Sequence, residues 1–287
     1  MTVIAMKYAS IKDLRTYLGF HPIKVENESL QGVVDGSNRE FYTQNKPLVD
    51  FDYDGEVIDD VKVLVNGAEV TIESIDEEMG KIVLASAPEA GSTVVATYYW
   101  HPFGDSELQM IIEAAESEID NECGRSFEAQ ERTERILMTR GNVFHVSYTP
   151  IISISEVVIE DISGEEIETL SSDKYEILVA GSGLVRLKEY YAGLTSPPWY
   201  LPSRFYVKIT YTGGYQTIPS IIKQATILIA SYHLLTKIAH LVTTEPDYRG
   251  KISVAFKKPQ ELTERLEYLR TEIERVKSKL PHAIGVA

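Results

Sequence analysis

Cysteine is all but missing: the 287 residues contain one, Cys123, so no intrachain disulfide framework can hold this chain. That usage fits folding in a reducing cytoplasm. Long apolar runs are missing as well. The most apolar stretch, 218–242, is interrupted by Lys223, Gln224, His233 and Lys237, short of the ~20 apolar residues a membrane span needs. No basic segment followed by an apolar run opens the chain, so no signal peptide is expected. There is no GxSxG, no P-loop and no dinucleotide fingerprint. The histidines (His21, His101, His145, His233, His240 and His282) form no pair at metal-ligand spacing with a second cluster. His233 and His240 share a helix face and read as interior or interface residues. Cys123 reads as a small core residue, because no histidine is spaced to activate it. Together these absences argue against an enzyme, a membrane protein or a cofactor.

Bases are scarce except at the C-terminal end. The formal net charge is −15, with 28 Lys and Arg against 43 Asp and Glu. Residues 30–104 carry −10 and 105–140 carry −6, whereas 217–287 carry +4. An acidic body argues against wrapping nucleic acid. It is compatible with a surface that DNA slides past, or with head-to-tail packing of unlike surfaces.

What is present reads as an α+β chain. Residues 8–19 predict a short helix with Ser10 as N-cap, Ile11, Leu14 and Leu18 on one face, and Gly19 after its end. From about Leu30 to Trp100 the pattern turns to β. Val61, Val63 and Val65 alternate up to Asn66-Gly67, a strong hairpin signal, and Val70 and Ile72 follow. Turns at 76–80 and 88–92 lead into further apolar runs, giving a small sandwich-like insertion over 30–104. A helix over 105–123 carries Leu108, Ile111, Ile112, Ala115, Ile119 and Cys123 on one stripe, with Gly124 as its stop. A second β region covers about 133–212, with strand signals at 136–138, 143–146, 157–159, 175–179 and 184–187.

The strand over 205–212 breaks at Gly213-Gly214, and Pro219 stands where a helix takes its first residue. The helix over 218–242 is apolar on two faces and needs cover from both sides, which makes it the centre of a helical core. After a connector, a C-terminal helix over 259–280 places Leu262, Leu266, Leu269, Ile273, Val276 and Leu280 at alternating spacings of four and three, a coiled-coil-like seam for a partner. Two further partner candidates lie outside regular structure. The stiff aromatic loop 197–202 presents Trp199 and Tyr200, or packs them inward. The tail 281–287 carries Ile284 and Val286 and suits addition to a neighbouring surface as an extended peptide. The expected division is therefore a core of 1–29 with 105–287, an inserted β domain of 30–104, and the tail.

One metal pattern occurs. Asp50, Asp52, Asp54 and Gly55 match the opening of a calcium loop, but the twelfth position is Val61 instead of a bidentate glutamate. Val49, Phe51 and Tyr53 alternate with the aspartates, which reads instead as a strand with one wet face. No metal is expected.

The order of Cys123-Gly124-Arg125-Ser126-Phe127, the segment 148–159, the Tyr175 strand, and Tyr211-Thr212-Gly213-Gly214-Tyr215 leading through Pro219 to Ala225 resembles the head–tail connector (adaptor or head-completion) proteins of long-tailed phages. The opening 13–19 resembles that family's N-terminal helix. Residues 30–100 depart from the family plan and look like the small β modules of phage neck and tail proteins. The resemblance implies a structural protein of the virion neck. It implies a ring, usually of twelve subunits, below the portal protein, extending the DNA channel and meeting a stopper or tail-completion protein. A stopper or tail-completion role within the neck is the near alternative. A carbohydrate-binding module using the β insert and Trp199 is the alternative from another class.

Overall fold

Ser10 starts the first helix, α1 (Ile11–Leu18), with a reciprocal capping box: its hydroxyl accepts the Asp13 N–H at 3.2 Å while the Asp13 carboxylate accepts the Ser10 N–H at 3.0 Å. Gly19 ends the helix in the left-handed region, φ 76°. The sequence reading of this element therefore holds at both ends. The structure, a computed structural model, describes residues 6–190, 204–244 and 259–281. It is a mixed α+β chain that divides into two compact units: Met1–Glu116 with Gln224–Ser278, and Ser117–Lys223 with Lys279–Ala287.

Among the described residues of the first unit, seven antiparallel strands form two sheets: β1 (Ile23–Ser29), β7 (Val94–Trp100), β3 (Lys62–Val65) and β4 (Ala68–Val70) in one, and β2 (Glu40–Tyr42), β6 (Lys81–Leu84) and β5 (Ile72–Asp76) in the other. One apolar cluster draws on both sheets, with Phe41, Val63, Ile82, Leu84, Val94, Ala96 and Tyr98 all buried. The β3–β4 hairpin turns on Asn66 and Gly67, both at positive φ (50° and 83°), the geometry that matches strand twist. β structure begins at Ile23, ahead of the expected Leu30. β1 is an edge strand paired with β7, and its Lys24, Glu26 and Glu28 leave it without the apolar alternation that marks the later strands.

Helix α2 (Asp105–Cys123) has the predicted limits and Cys123 is buried. Among the described residues of the second unit seven strands again form two sheets. One has the order β11 (Glu166–Thr169), β10 (Ile151–Glu160), β14 (Phe205–Gly213), β8 (Gln130–Met138). The other has the order β12 (Tyr175–Val179), β13 (Leu184–Leu187), β9 (Val143–His145). Their shared core includes Phe144, Val157, Ile159, Val185, Leu187, Val207, Ile209 and Tyr211.

Helix α3 (Ser220–Thr244) starts one residue after Pro219, whose carbonyl accepts the Ile222 N–H at 3.0 Å. Ile222, Leu228, Ile229, Leu234, Leu235 and Ile238 are buried along it. Helix α4 (Pro259–Lys277) stops short of the expected residue 280. The Ser278 hydroxyl bonds back to the Arg275 carbonyl at 2.9 Å, and Pro281 disfavours helical backbone at Leu280. Among the described residues no helix is long and apolar enough to cross a membrane.

Candidate functional site

The acidic segment after β2 is a loop, which corrects the strand expected there. Asp50 accepts the Tyr53 N–H at 2.5 Å and the Gly55 N–H at 2.7 Å. Asp52 accepts the Asp54 N–H at 3.1 Å, Asp54 the Glu56 N–H at 2.9 Å and Asp60 the Phe51 N–H at 2.5 Å. Aspartates that satisfy the backbone themselves outcompete a strand ladder. The carboxylate oxygens of Asp50, Asp52 and Asp54 lie within 4.8 Å of one another. The Asp54 N–H favours a charged Asp52, yet partial desolvation and the neighbouring carboxylates of Asp54, Asp50 and Asp59 hold its carboxyl above the usual range. The donor set still does not complete a calcium loop, because Val61 in the twelfth position is buried in the apolar cluster.

Next to this loop is a buried charged anchor. Arg15, fully buried on α1, donates from Nη2 to the Asp105 carboxylate at 2.9 Å and to the Phe103 carbonyl at 2.9 Å. Its Nε reaches Asp105 at 3.2 Å and its Nη1 the Phe20 carbonyl at 3.2 Å. The other Asp105 oxygen accepts the Asp50 N–H at 2.9 Å. Asp105 also opens α2, where the helix dipole favours its charge. His101 packs on Phe20 and Phe103, with ring centroids 5.4 and 5.6 Å away, and its Nδ1 accepts the Phe103 N–H at 3.2 Å. Burial first, then the charge of Arg15, lowers its pKa to about 4.

The seam on α4 is already covered within the chain. Leu262, Leu269, Ile273 and Val276 are buried, as is Leu280 beyond the helix end, and Leu266 is half-buried. The side α4 leaves open carries Tyr268, 58% exposed. Trp199, Tyr200, Ile284 and Val286 lie outside the described residues.

In the second unit the segments 123–127 and 211–215 lie side by side. The Tyr215 N–H donates to the Phe127 carbonyl at 2.8 Å, and the Ala129 N–H to the Tyr215 carbonyl at 3.2 Å. Gly214, at φ 119°, runs so close to this segment that a Cβ would stand 2.2 Å from the Glu128 carbonyl oxygen. Buried Arg125 donates to the Thr149 hydroxyl at 3.1 Å and to the Thr149 carbonyl, and lies over the Phe127 ring. No catalytic role is needed to explain any of these groups.

One surface escaped the sequence reading. β12 is the outer strand of its sheet, and Ile177, Leu178 and Val179 are 39%, 39% and 50% exposed. Three successive apolar residues in a strand point to both faces, and that broken alternation was the available signal.

Residues 98–244, from the end of β7 to the end of α3, match the model of the head completion protein family. No protein of curated function matches the chain. Among solved structures, the chain is similar to a protein in "Neck of empty GTA particle computed with C6 symmetry" (TM-score 0.34, 15% identity, covering 45% of this chain and 66% of that one). Others come from "Neck of native GTA particle computed with C12 symmetry" (0.32, 18%, 45% and 70%) and "Virion of native gene transfer agent (GTA) particle" (0.32, 19%, 45% and 66%). The first of these likenesses thus spans just under two thirds of the other chain.

Proposed function

Because the chain belongs to the head completion protein family, we propose that it is a non-catalytic structural component of the virion neck, closing into a ring below the portal protein. The ring extends the DNA channel and gives a stopper or tail-completion protein its platform. The observation that carries this reading is the family match over 98–244, a segment whose two signature stretches are hydrogen-bonded to each other at Phe127 and Tyr215. In this reading α1, α2, α3 and α4 supply the connector body, and the β module inserted over about 30–104 decorates the neck or meets a neighbouring component.

Charge supports the reading from a separate direction. A heterologous ring joins one surface to a different one until it closes. The acidic 30–140 stretch and the +4 of residues 217–287 are segments of unlike charge in one chain. A channel wall of net negative charge lets DNA pass, because it offers few favourable phosphate contacts.

Electron-microscopy class averages of the full chain, alone and mixed with its portal protein, test the proposal. Rings that form on or with the portal support it and show where the β module projects. A chain that stays monomeric and ignores the portal overturns it.

A further inference from the structure

The two faces of the β1–β7–β3–β4 sheet differ. Val63, Val94, Ala96 and Tyr98 point to one side and are buried in the apolar cluster. Leu64, Val95 and Tyr99 alternate with them, so they point to the other side, where each is half-buried. Phe51 lies on that side too, stacked on Tyr99 with ring centroids 4.2 Å apart and 46% exposed. Phe51 belongs to the most acidic stretch of the chain: residues 50–60 hold six acids and no base. Exposed Asp52, Asp54, Glu56 and Asp59 are in no ion pair among the described residues. Lys24 and Lys62, which pair in register with Tyr99 and Thr97, are taken by Glu26 at 2.6 Å and Glu69 at 2.7 Å. The face is thus apolar at its middle, negative beside Phe51 and short of free positive charge.

A complement to this face occurs in the same sequence. Residues 249–258, RGKISVAFKK, lie outside the described residues and hold four bases and no acid, the most positive ten residues of the chain. Ile252, Val254 and Phe256 alternate between the bases, so in an extended backbone they share one side. The segment belongs to the 14 residues that separate α3 from α4, where a helix–helix connection usually needs about 2–8. That surplus of chain gives it the reach to leave its own helices. We propose that residues 249–258 of one copy dock on the Phe51–Tyr99 face of the next copy in the ring. The inference rests on the ring reading and names a contact that joins its subunits.

Charge and spacing agree on the junction. Tyr99 and Val95 are four residues apart on β7, as are Phe256 and Ile252 in the segment, so the two apolar rows match in length when both backbones are extended. Val95 pairs in register with Leu64, which widens the far end of the row. Arg249 and Lys251 precede the apolar side chains, and Lys257 and Lys258 follow them. Whichever end lies over residues 50–60, two bases therefore meet exposed carboxylates while Ile252, Val254 and Phe256 cover the row from Phe51 to Val95. Attraction between opposite charges steers the encounter, and the apolar row sets where it stops. Each copy gives one surface and takes a different one, so the contact is heterologous and does not stop at a dimer.

The test uses the full chain under conditions in which the wild type forms rings with its portal, read by sedimentation velocity and negative-stain microscopy. The face variant Asp54→Lys/Glu56→Lys/Asp59→Lys and the segment variant Arg249→Glu/Lys251→Glu/Lys257→Glu/Lys258→Glu are each expected to lose rings and keep a cooperative melt. An equimolar mixture of the two is expected to restore rings, because each variant's segment then meets a face of opposite sign on the other. Should either variant lose its melt, lysine–carboxylate cross-linking of wild-type rings assembled from isotopically light and heavy protein gives an independent readout. Links from Lys257 or Lys258 to residues 50–60 that carry both labels are expected. Rings that persist in both variants, or that the mixture fails to restore, overturn the docking and leave the ring reading standing. Rescue only when all the substitutions share one chain, or links absent or confined to one label, also overturn it. A wild-type chain that forms no ring with its portal overturns the docking and the ring reading together.

Discussion

The guanidinium of Arg15 and the carboxylate of Asp105, 90 residues apart in sequence, meet at 2.9 Å with the arginine wholly out of solvent. All the remaining donor capacity that the pair shows goes to main-chain carbonyls, those of Phe20 and Phe103. A buried charge so fully partnered is costly to orphan. Arg15→Met is expected to lower unfolding free energy by about 3–5 kcal/mol, whereas Arg15→Met with Asp105→Asn should lose less, since no unpaired charge remains. Urea unfolding of the two variants checks the order.

Gly214 tolerates no side chain. Its φ of 119° is outside the range of L-residues, and an added methyl would strike the Glu128 carbonyl. Gly214→Ala is expected to cost more than ~2 kcal/mol and to separate the 123–127 and 211–215 segments. Gly67→Asn, at a turn position with open space around it, should cost only a few tenths as judged from turn preferences. Thermal melts of the pair give the comparison.

Acid should weaken the first unit through His101. Its pKa is depressed to about 4 in the fold, against ~6.5 when unfolded. Between those values the unfolded chain binds the extra proton, so stability falls as pH drops from about 6.5 to about 4 and then levels. The full contribution is of order 3 kcal/mol. Buried Glu116, which accepts the Tyr8 N–H and whose carboxyl is raised by burial, works in the opposite sense as pH rises above its unfolded value. The difference in unfolding free energy between wild type and His101→Gln isolates the histidine: it should shrink as pH falls across that window.

Calcium should leave the protein unchanged. A site filled at a hundred times its Kd would add ~2.7 kcal/mol to stability. With Val61 buried where a glutamate ligand belongs, the melting midpoint in millimolar calcium is expected to equal that in a chelator.

The α4 seam should register as stability before it registers as assembly. Leu269 is fully buried in the chain, so Leu269→Ala is expected to cost ~2–5 kcal/mol. Tyr268→Ala, on the open side, should leave the melt within ~0.5 kcal/mol.

Features with local chemistry were legible in the sequence. Ser10 and Gly19 mark α1, and Asn66-Gly67 marks its hairpin, because cap and turn geometry depend on a few adjacent residues. The limits of α2 followed from its apolar stripe and Gly124. The alternation of Val49, Phe51 and Tyr53 misled, because aspartate side chains took the backbone N–H groups that a ladder would have used. β1 was missed because an edge strand with one covered face can be as polar as a linker. Periodicity showed that Leu262 to Val276 need cover, but not that the chain covers them itself. Nor can a run such as Tyr175–Val179 declare whether it lies at the rim of a sheet or inside one, since that depends on partners far away in sequence.

One guanidinium holds both the Phe20 and the Phe103 carbonyls. The excursion between them, residues 21–102, therefore leaves and re-enters beside one guanidinium, while its Asp50 N–H and Glu78 carboxylate hold the start of α2 at Asp105 and Ser106. Length changes at turns far from these contacts need not move α1 or α2, because the two ends of the excursion are fixed at one side chain. Surface diversity can then evolve at those turns while the framework stays the same.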